Sequence, residues 1–143
     1  MSIAPRLSSH AVHGHDAGPR LAKELAAAAT RPSLVLVAVT ESIDLAAVLA
    51  DIQQATTPDT RVVGTTSSGG LFTEAGLFRS PAAGALCWTG GTFDDFGTAC
   101  AALDPDASAR AVARDVAERA CNDAGHPSET PELVILLSTP GRE

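Results

Sequence analysis

Hydrophobic and polar positions in the first half of the chain alternate between strand-like and helix-like patterns. The run Leu34–Thr40 (LVLVAVT) is apolar and rich in β-branched residues, which predicts a strand buried on both faces. Weak alternation at Ser9–His13 predicts a short edge strand before it. Strong helix formers predict a helix over Leu21–Ala29, and Pro32 ends it. The pattern is typical of a sheet covered by helices.

Residues that favour helix starts precede both helical segments of this half. Asp16 can cap the first helix, and Pro19 suits its first turn. Ser42 or Asp44 can cap a second helix that runs to about Ala55. Helical spacing places four apolar residues on one side of this second helix: Ile43, Ala47, Val48 and Ile52.

The second half of the chain predicts more strands and one further helix. Arg61–Thr65 predicts a short strand, and glycine and serine predict a loop at Ser67–Gly70, after which Leu71–Pro81 has no clear period. Ala83–Thr89 predicts a strand, followed by a turn at Gly90-Gly91. Three elements are predicted beyond it: an antiparallel partner strand at Phe96–Leu103, a helix from Asp104-Pro105-Asp106 to about Cys121 that stops near Gly125, and a buried strand at Leu133–Ser138.

These elements predict an α/β fold with the order β-α-β-α-β-β-β-α-β. Alternating buried strands and amphipathic helices predict a layered mixed sheet with helices packed on it. The length of 143 residues suits a single domain over residues 1–143. The chain stops three residues after Pro140, directly beyond a predicted strand, so we expect a truncated domain.

The charge and cysteine content exclude several classes of function. A formal net charge of −7 with a single lysine, Lys23, disfavours nucleic acid, whose phosphates are neutralised by basic residues. Basic residues are too scattered for a membrane-binding patch, and apolar runs are too short for a membrane span. Three widely spaced cysteines, Cys87, Cys100 and Cys121, suit a reducing compartment, so a cytoplasmic location is expected.

Three segments together resemble the N-terminal domain of the FIST (F-box and intracellular signal transduction) family. They are the strand LVLVAVT at 34–40, the stretch VVGTTSSGGLF at 62–72 and the strand GALCWTG at 84–90. The resemblance covers the chain from about Ser9 to Leu137. It implies a non-catalytic sensory module that binds a small molecule such as an amino acid or another small carboxylate. It also implies a signalling protein partner or a C-terminal FIST domain, and it implies no cofactor.

The segment from Gly64 to Gly70 is the most informative candidate site. A loop after a buried strand offers backbone N–H groups and small hydroxyls to a carboxylate or phosphate. The segment lacks the Gly-Lys-Ser/Thr element of a P-loop and the Gly-x-Ser-x-Gly pattern of hydrolases. A tight structural turn and a ligand-contacting loop are both open interpretations. The candidate ligand-binding residues are Gly64, Thr65, Thr66, Ser67, Ser68 and Gly69.

Other polar groups have alternative interpretations. His10, His13 and His15 with Asp16 have a spacing that can hold a metal, although a solvated strand end explains them as well and no metal is predicted. Asp94 and Asp95 are expected in a hairpin connection, although paired carboxylates can also do acid–base work, and Cys87 is expected in the core. Glu74 and Arg79 flank a loop and can either pair across it or reach a ligand.

Two other functions compete with the sensory interpretation. An enzyme would need a nucleophile with a base, and Ser67 with one of the N-terminal histidines is the candidate pair. An assembly unit would use an exposed strand edge, through which a homodimer can form.

Overall fold

The computed structural model describes residues 6–28, 31–73, 76–90, 96–102, 104 and 106–137. The chain divides into two compact units, residues 1–96 (unit 1) and residues 97–143 (unit 2). The described residues of unit 1 form six strands and two helices: β1 Arg6–His13, α1 Ala17–Ala27, β2 Pro32–Thr40, α2 Leu45–Ala55, β3 Arg61–Ser67, β4 Leu71–Thr73, β5 Gly76–Phe78 and β6 Ala82–Thr89. Those of unit 2 form one helix, α3 Ala109–Asp123. That the whole chain forms a single domain stays a prediction.

Unit 1 is built on a four-stranded mixed sheet with the order β1-β6-β2-β3. β6 pairs antiparallel with both β1 and β2, and β2 pairs parallel with β3. The helix α2 connects β2 to β3, as a parallel pair requires a crossover connection. The predicted α/β class and mixed sheet are therefore confirmed, and so is the edge position of the first strand.

The core lies between the sheet and the two helices. Alternate residues of β2 and β6 point to the helices, because side chains along a strand alternate between its faces. From the helices, Leu21 of α1 and Ile52 of α2 are fully buried. The sheet contributes small side chains: Val35, Val37, Val39, Ala83, Ala85 and Cys87. Close packing of these small residues makes up for the scarcity of aromatic side chains.

A two-stranded hairpin, β4 with β5, lies on the other face of the sheet. A Cβ atom on Gly84 would lie 3.2 Å from the Leu71 Cδ1 atom. The absence of a side chain at Gly84 therefore leaves room for the buried Leu71 to pack on β6. Gly70 starts the hairpin with φ +135°, a conformation that favours glycine. The absence of a clear period in Leu71–Pro81 concealed this hairpin, since strands of three residues are too short to show alternation.

The two helices of unit 1 begin differently at their N-caps. The Asp44 carboxylate accepts hydrogen bonds from the backbone N–H groups of Ala46 and Ala47, at 2.9 and 3.3 Å. This confirms Asp44 as the cap of α2. Asp16 occupies the N-cap position of α1, but its side chain makes no capping hydrogen bond. The prediction that the Asp16 side chain caps α1 is therefore wrong. Pro19 does lie in the first turn, as predicted.

Of the four apolar residues predicted on one side of the second helix, three pack on the core, although Ile43 lies just before α2. Val48 and Ile52 are buried, and Ile43 packs partly against the core. Ala47 is exposed instead, because α2 also turns Leu45 and Leu49 toward β3. The apolar side of the helix is thus rotated toward β3 compared with the predicted one.

In the described part of unit 2, hydrogen bonds hold the loop before α3 against the helix. The Ser108 side chain accepts a hydrogen bond from the backbone N–H of Ala111 and caps α3. The Asp123 carboxylate accepts one from the backbone N–H of Thr98 at 2.9 Å, and Arg119 donates to the carbonyl oxygen of Cys100 at 2.8 Å. Gly125, with φ +79°, follows the helix end as predicted. None of the described side chains of α3 is buried.

Three sequence predictions in the second half of the chain were wrong. Residues 96–102 of the predicted strand Phe96–Leu103 are not a strand, because hydrogen bonds to α3 hold this loop. Residues 133–137 of the predicted strand Leu133–Ser138 are irregular, and their side chains are between 42% and 70% exposed. The helix begins at Ala109 rather than at Asp104, whose side chain accepts from the Asp106 N–H in a turn. Leu103, Pro105 and Ser138 lie outside the described residues.

The difference between the two N-caps of unit 1 is testable. Asp44→Ala removes an acceptor from two backbone N–H groups and should lower the free energy of unfolding by about 1 kcal/mol. Asp16→Ala is the matched control and should change it by less than about 0.5 kcal/mol, since no capping bond is lost. Urea denaturation of both variants measures the difference. Equal losses would contradict the assigned cap.

Candidate functional site at the carboxyl ends of β2 and β3

The predicted ligand-binding segment lies where two parallel strands end. β2 and β3 run side by side from the pair Leu34 and Arg61 to the pair Thr40 and Ser67. Carboxyl ends of parallel strands form the usual ligand-binding edge of an α/β sheet. β3 extends through Ser67, so the loop itself is only the short bend after it. Of the six candidate residues, four are therefore strand residues, and Ser68 and Gly69 form the bend.

Gly64 has a packing role inside the strand. A Cβ atom at this position would lie 2.8 Å from Leu45 Cδ1 and 2.9 Å from Leu49 Cδ2. The missing side chain therefore lets α2 pack directly on β3. Gly64 is turned toward α2, and the helix–sheet contact accounts for the glycine at this position.

The threonine and serine residues after Gly64 differ in exposure. Thr66 is exposed, whereas Thr65 and Ser67 are half-buried. The Ser67 hydroxyl donates to the carbonyl oxygen of Gly70 at 2.8 Å and closes the bend. Ser68 and Gly69 are exposed at its tip, and a Cβ atom on Gly69 would meet nothing within 4 Å. Thr66, Ser68 and Gly69 are thus the candidate residues that solvent or a ligand can reach most readily.

Three further hydroxyl residues, Thr40, Ser42 and Ser80, lie at the same end of the sheet and form what we call the hydroxyl cluster. Thr40 is only 1% exposed, and its Oγ1 accepts from the backbone N–H of Ala82 at 2.9 Å and donates to the Ala82 carbonyl oxygen at 3.3 Å. The hydroxyl oxygens of Ser42 and Ser80 lie 2.7 Å apart, and the hydroxyl oxygens of Ser42 and Thr40 lie 3.5 Å apart. Sequence reasoning missed this cluster. The sequence feature that could have indicated it is the pair of hydroxyl residues at the end of the buried strand, Thr40 and Ser42.

The charge at this edge is mixed. Residues 40–44 and 64–70 contain Glu41 and Asp44 and no lysine or arginine, whereas exposed Arg79 directly precedes Ser80 of the hydroxyl cluster. The Asp44 carboxylate also occupies the first N–H groups of α2, which would otherwise attract an anion. A ligand that carries both a negative and a positive group is therefore matched to this edge.

Two cavities lie elsewhere in unit 1. One of about 350 Å³ and another of about 230 Å³ lie near Pro32, at the opposite end of β2 from Thr40. Neither is lined by any of the six candidate residues.

The histidine-rich segment does not gather into a metal site within the described residues. β1 ends at His13, and Gly14, with φ +119°, turns the chain, so His13 and His15 do not share a strand face. His10 Nδ1 lies 3.7 Å from a carboxylate oxygen of Glu24. No group of three or more His, Cys, Asp or Glu side chains suited to a metal ion occurs in the described part of the chain.

Cys87 is a core residue, as predicted. It is 2% exposed, and burial raises the pKa of its thiol to about 11. A thiol with a raised pKa is a poor nucleophile at neutral pH. Its neighbour Trp88 makes an edge contact with Phe96, with ring centroids 5.8 Å apart. The predicted roles of Asp94, Asp95 and Glu74 lie outside the described residues.

Comparison with known families identifies the chain. A family model described as the FIST N domain matches residues 33–143, which include all of β2 but its first residue, the candidate edge and α3. The chain belongs to the FIST N domain family. This domain is associated with signal transduction, which suggests a sensory role. No curated protein matches the chain. Within the described residues, the helices are too short or too polar to cross a membrane.

The packing role of Gly64 is testable. Gly64→Ala should lower the free energy of unfolding by about 1–3 kcal/mol, because both leucine side chains of α2 must shift. Gly69→Ala is the matched control in open space and should cost less than about 0.5 kcal/mol. Thermal denaturation of both variants gives the comparison. A Gly64→Ala variant as stable as the parent chain would refute the packing role.

The buried thiol predicts a loss of stability at alkaline pH. The pKa of Cys87 is about 11 in the folded state and 9.0 as an ordinary thiol. The unfolded chain therefore loses this proton first, and stability is lost as pH rises from about 9 to 11. The slope from this group should approach about 1.4 kcal/mol per pH unit.

Urea denaturation between pH 8 and 11 (a range set about the two pKa values) measures this slope. Cys87→Ala should remove it, whereas Cys100→Ala, at an exposed position, should retain it. An unchanged slope in Cys87→Ala would show that another group is responsible.

Proposed function

We propose that this chain is a non-catalytic, cytoplasmic sensory module that binds a small amino acid or related carboxylate at the carboxyl ends of β2 and β3. The observation that carries the proposal is that exposed Thr66, Ser68 and Gly69 and the hydroxyl cluster lie at the same end of the sheet. Membership of a family associated with signal transduction supports the sensory role.

The chemistry of the edge supports an amino acid over a simple anion. Hydroxyl groups and the backbone N–H groups of a bend can donate to a carboxylate. The exposed carboxylate of Glu41 favours an ammonium group nearby. A zwitterion uses both kinds of group, whereas phosphate has no positive group for Glu41.

The positions of Ser67 and the histidine at the end of β1 support a non-catalytic function. His13 and Ser67 lie on the two outer strands, β1 and β3. Three strand spacings separate these strands, or roughly 14 Å. A nucleophile and its base must be within hydrogen-bond distance of each other. The Ser67 hydroxyl donates instead to the Gly70 carbonyl oxygen.

The free cysteines support the proposed compartment. Cys87, Cys100 and Cys121 are all free, as is usual in a reducing cytoplasm. The proposed output partner is a signalling protein or a C-terminal FIST domain, because a sensor must transmit to another protein or domain whether its ligand is bound.

A thermal-shift screen against amino acids, small carboxylates and nucleotides tests the function. An amino acid at a hundredfold excess over its dissociation constant should stabilise the folded chain by about 2.7 kcal/mol. The double variant Ser67→Ala/Ser68→Ala should lose this shift, and so should Thr66→Val, which removes an exposed hydroxyl at nearly constant volume. Ser8→Ala, at an exposed position on β1, is the control and should keep it.

The ligand-free melting temperature of each variant separates lost binding from lost folding. A thermal shift that survives both in the double serine variant and in Thr66→Val would contradict the assigned site. Turnover of ester or amide substrates by the parent chain, lost in Ser67→Ala, would replace the proposal with a hydrolytic function.

A further inference from the structure

The side of β1 that faces the helices changes from apolar to ionisable toward the start of the strand. Val12 is 3% exposed beneath the helix layer. His10 and Arg6 precede it at even spacing, so they lie on the same face of the sheet. Their partners on β6, Ala85 and Thr89, are buried. Ionisable residues at helix-facing positions depart from the pattern of a buried sheet face, and such departures are expected at functional sites.

The smaller cavity near Pro32, of about 230 Å³, lies beside these two residues, and we call it the β1 cavity. Arg6 and His10 line it from the sheet. Leu25 and Ala28, from the last turn of α1 and the residue after it, line it together with Pro32. Leu25 is 5% exposed, whereas Arg6 is exposed. The cavity therefore combines a buried apolar wall with a charged residue at the surface.

Two buried residues of β6, Cys87 and Thr89, complete the wall of the β1 cavity. The Thr89 hydroxyl donates to the carbonyl oxygen of Arg6 at 3.2 Å and thereby holds the start of β1 against β6. Burial raises the pKa of the Cys87 thiol to about 11. The thiol is therefore uncharged at neutral pH and does not repel an anion in the cavity.

The two ionisable residues of the β1 cavity can both donate hydrogen bonds to a ligand. In the part of the chain that the structure describes, no carboxylate forms an ion pair with Arg6. The Nδ1 atom of His10 lies 3.7 Å from a carboxylate oxygen of Glu24, which is longer than a hydrogen bond. The Glu24 side chain is 48% exposed, so water weakens its repulsion of an anion. An arginine can donate two parallel hydrogen bonds to one carboxylate.

We propose that the β1 cavity binds a short-chain aliphatic carboxylate, with the carboxylate at Arg6 and His10. The alkyl chain lies against Leu25, Ala28 and Pro32. This second site is separate from the one proposed at the carboxyl ends of β2 and β3, and it needs no ammonium group on the ligand.

The volume and the lining of the cavity define the length of the ligand. Cavities that hold drug-sized ligands measure about 300–1,000 Å³, so the β1 cavity suits a chain of a few carbon atoms. The neighbouring cavity of about 350 Å³ shares Leu25, Ala28 and Pro32 with it. A longer alkyl chain can therefore extend along these three residues toward the second cavity.

Isothermal titration calorimetry of the whole chain with hexanoate tests the proposal. Hexanoate should bind saturably. Butyrate has two fewer CH₂ groups to bury, so it should bind about tenfold more weakly. Hexylamine has an alkyl chain of the same length and a positive charge. It should bind at least about tenfold more weakly than hexanoate, because its ammonium group is repelled by Arg6.

Paired variants separate the cavity from the rest of the surface. Arg6→Gln should raise the dissociation constant of hexanoate about tenfold, because a charged donor is lost. Lys23→Gln removes the same charge from an exposed position outside the cavity and should leave it unchanged. Ala28→Phe should abolish binding by filling the space that the two cavities share. Ala27→Phe, at an exposed position that lines neither cavity, should retain it.

Circular dichroism and the ligand-free melting temperature of each variant separate lost binding from lost folding. Three outcomes would overturn the proposal. The first is the absence of saturable hexanoate binding by the parent chain. The second is a dissociation constant that neither Arg6→Gln nor Ala28→Phe changes. The third is hexanoate binding that is lost in Ser67→Ala/Ser68→Ala and kept in Arg6→Gln, which would assign hexanoate to the carboxyl ends of β2 and β3.

Discussion

The burial of β2 between two neighbouring strands and beneath two helices is the interaction on which the structure of unit 1 depends. Val35, Val37 and Val39 face the helices and are almost completely buried. β2 is also the strand that joins the antiparallel half of the sheet to the parallel half. The side chains of β2 therefore hold the helices against the sheet, and its backbone pairs with the strands on both sides. The candidate site exists because this strand ends beside β3, at Thr40.

Elements with continuous local signals could be predicted from sequence. The strand Leu34–Thr40 and the helix capped by Asp44 follow from patterns that depend on a few neighbouring residues. The runs at 96–102 and 133–137 have strand-like composition as well, but a strand also needs a partner to complete its backbone hydrogen bonds. Hydrophobic periodicity contains no information about that partner, so both strands were predicted wrongly.

In the candidate site, too, the sequence predicts what depends on neighbouring residues and not what depends on distant ones. Gly64 and the serines of the bend stood out in sequence because glycine and serine mark turns. Their different roles depend on contacts with distant residues, such as Leu45 and Leu49 against Gly64. Thr40 and Ser80 are 40 positions apart in sequence, and only the pairing of β2 with β6 brings them together.

The hydroxyl of Thr40 makes hydrogen bonds with both backbone polar groups of Ala82. The first residue of β6 is therefore attached to the end of β2 through a side chain, next to the contact between Ser42 and Ser80. β6 lies between β1 and β2 and pairs with both. A molecule that inserts between the two serines would separate the hydroxyls beside this attachment. Occupancy at the edge of the sheet would thereby act on the start of the strand that holds β1 and β2 in one sheet.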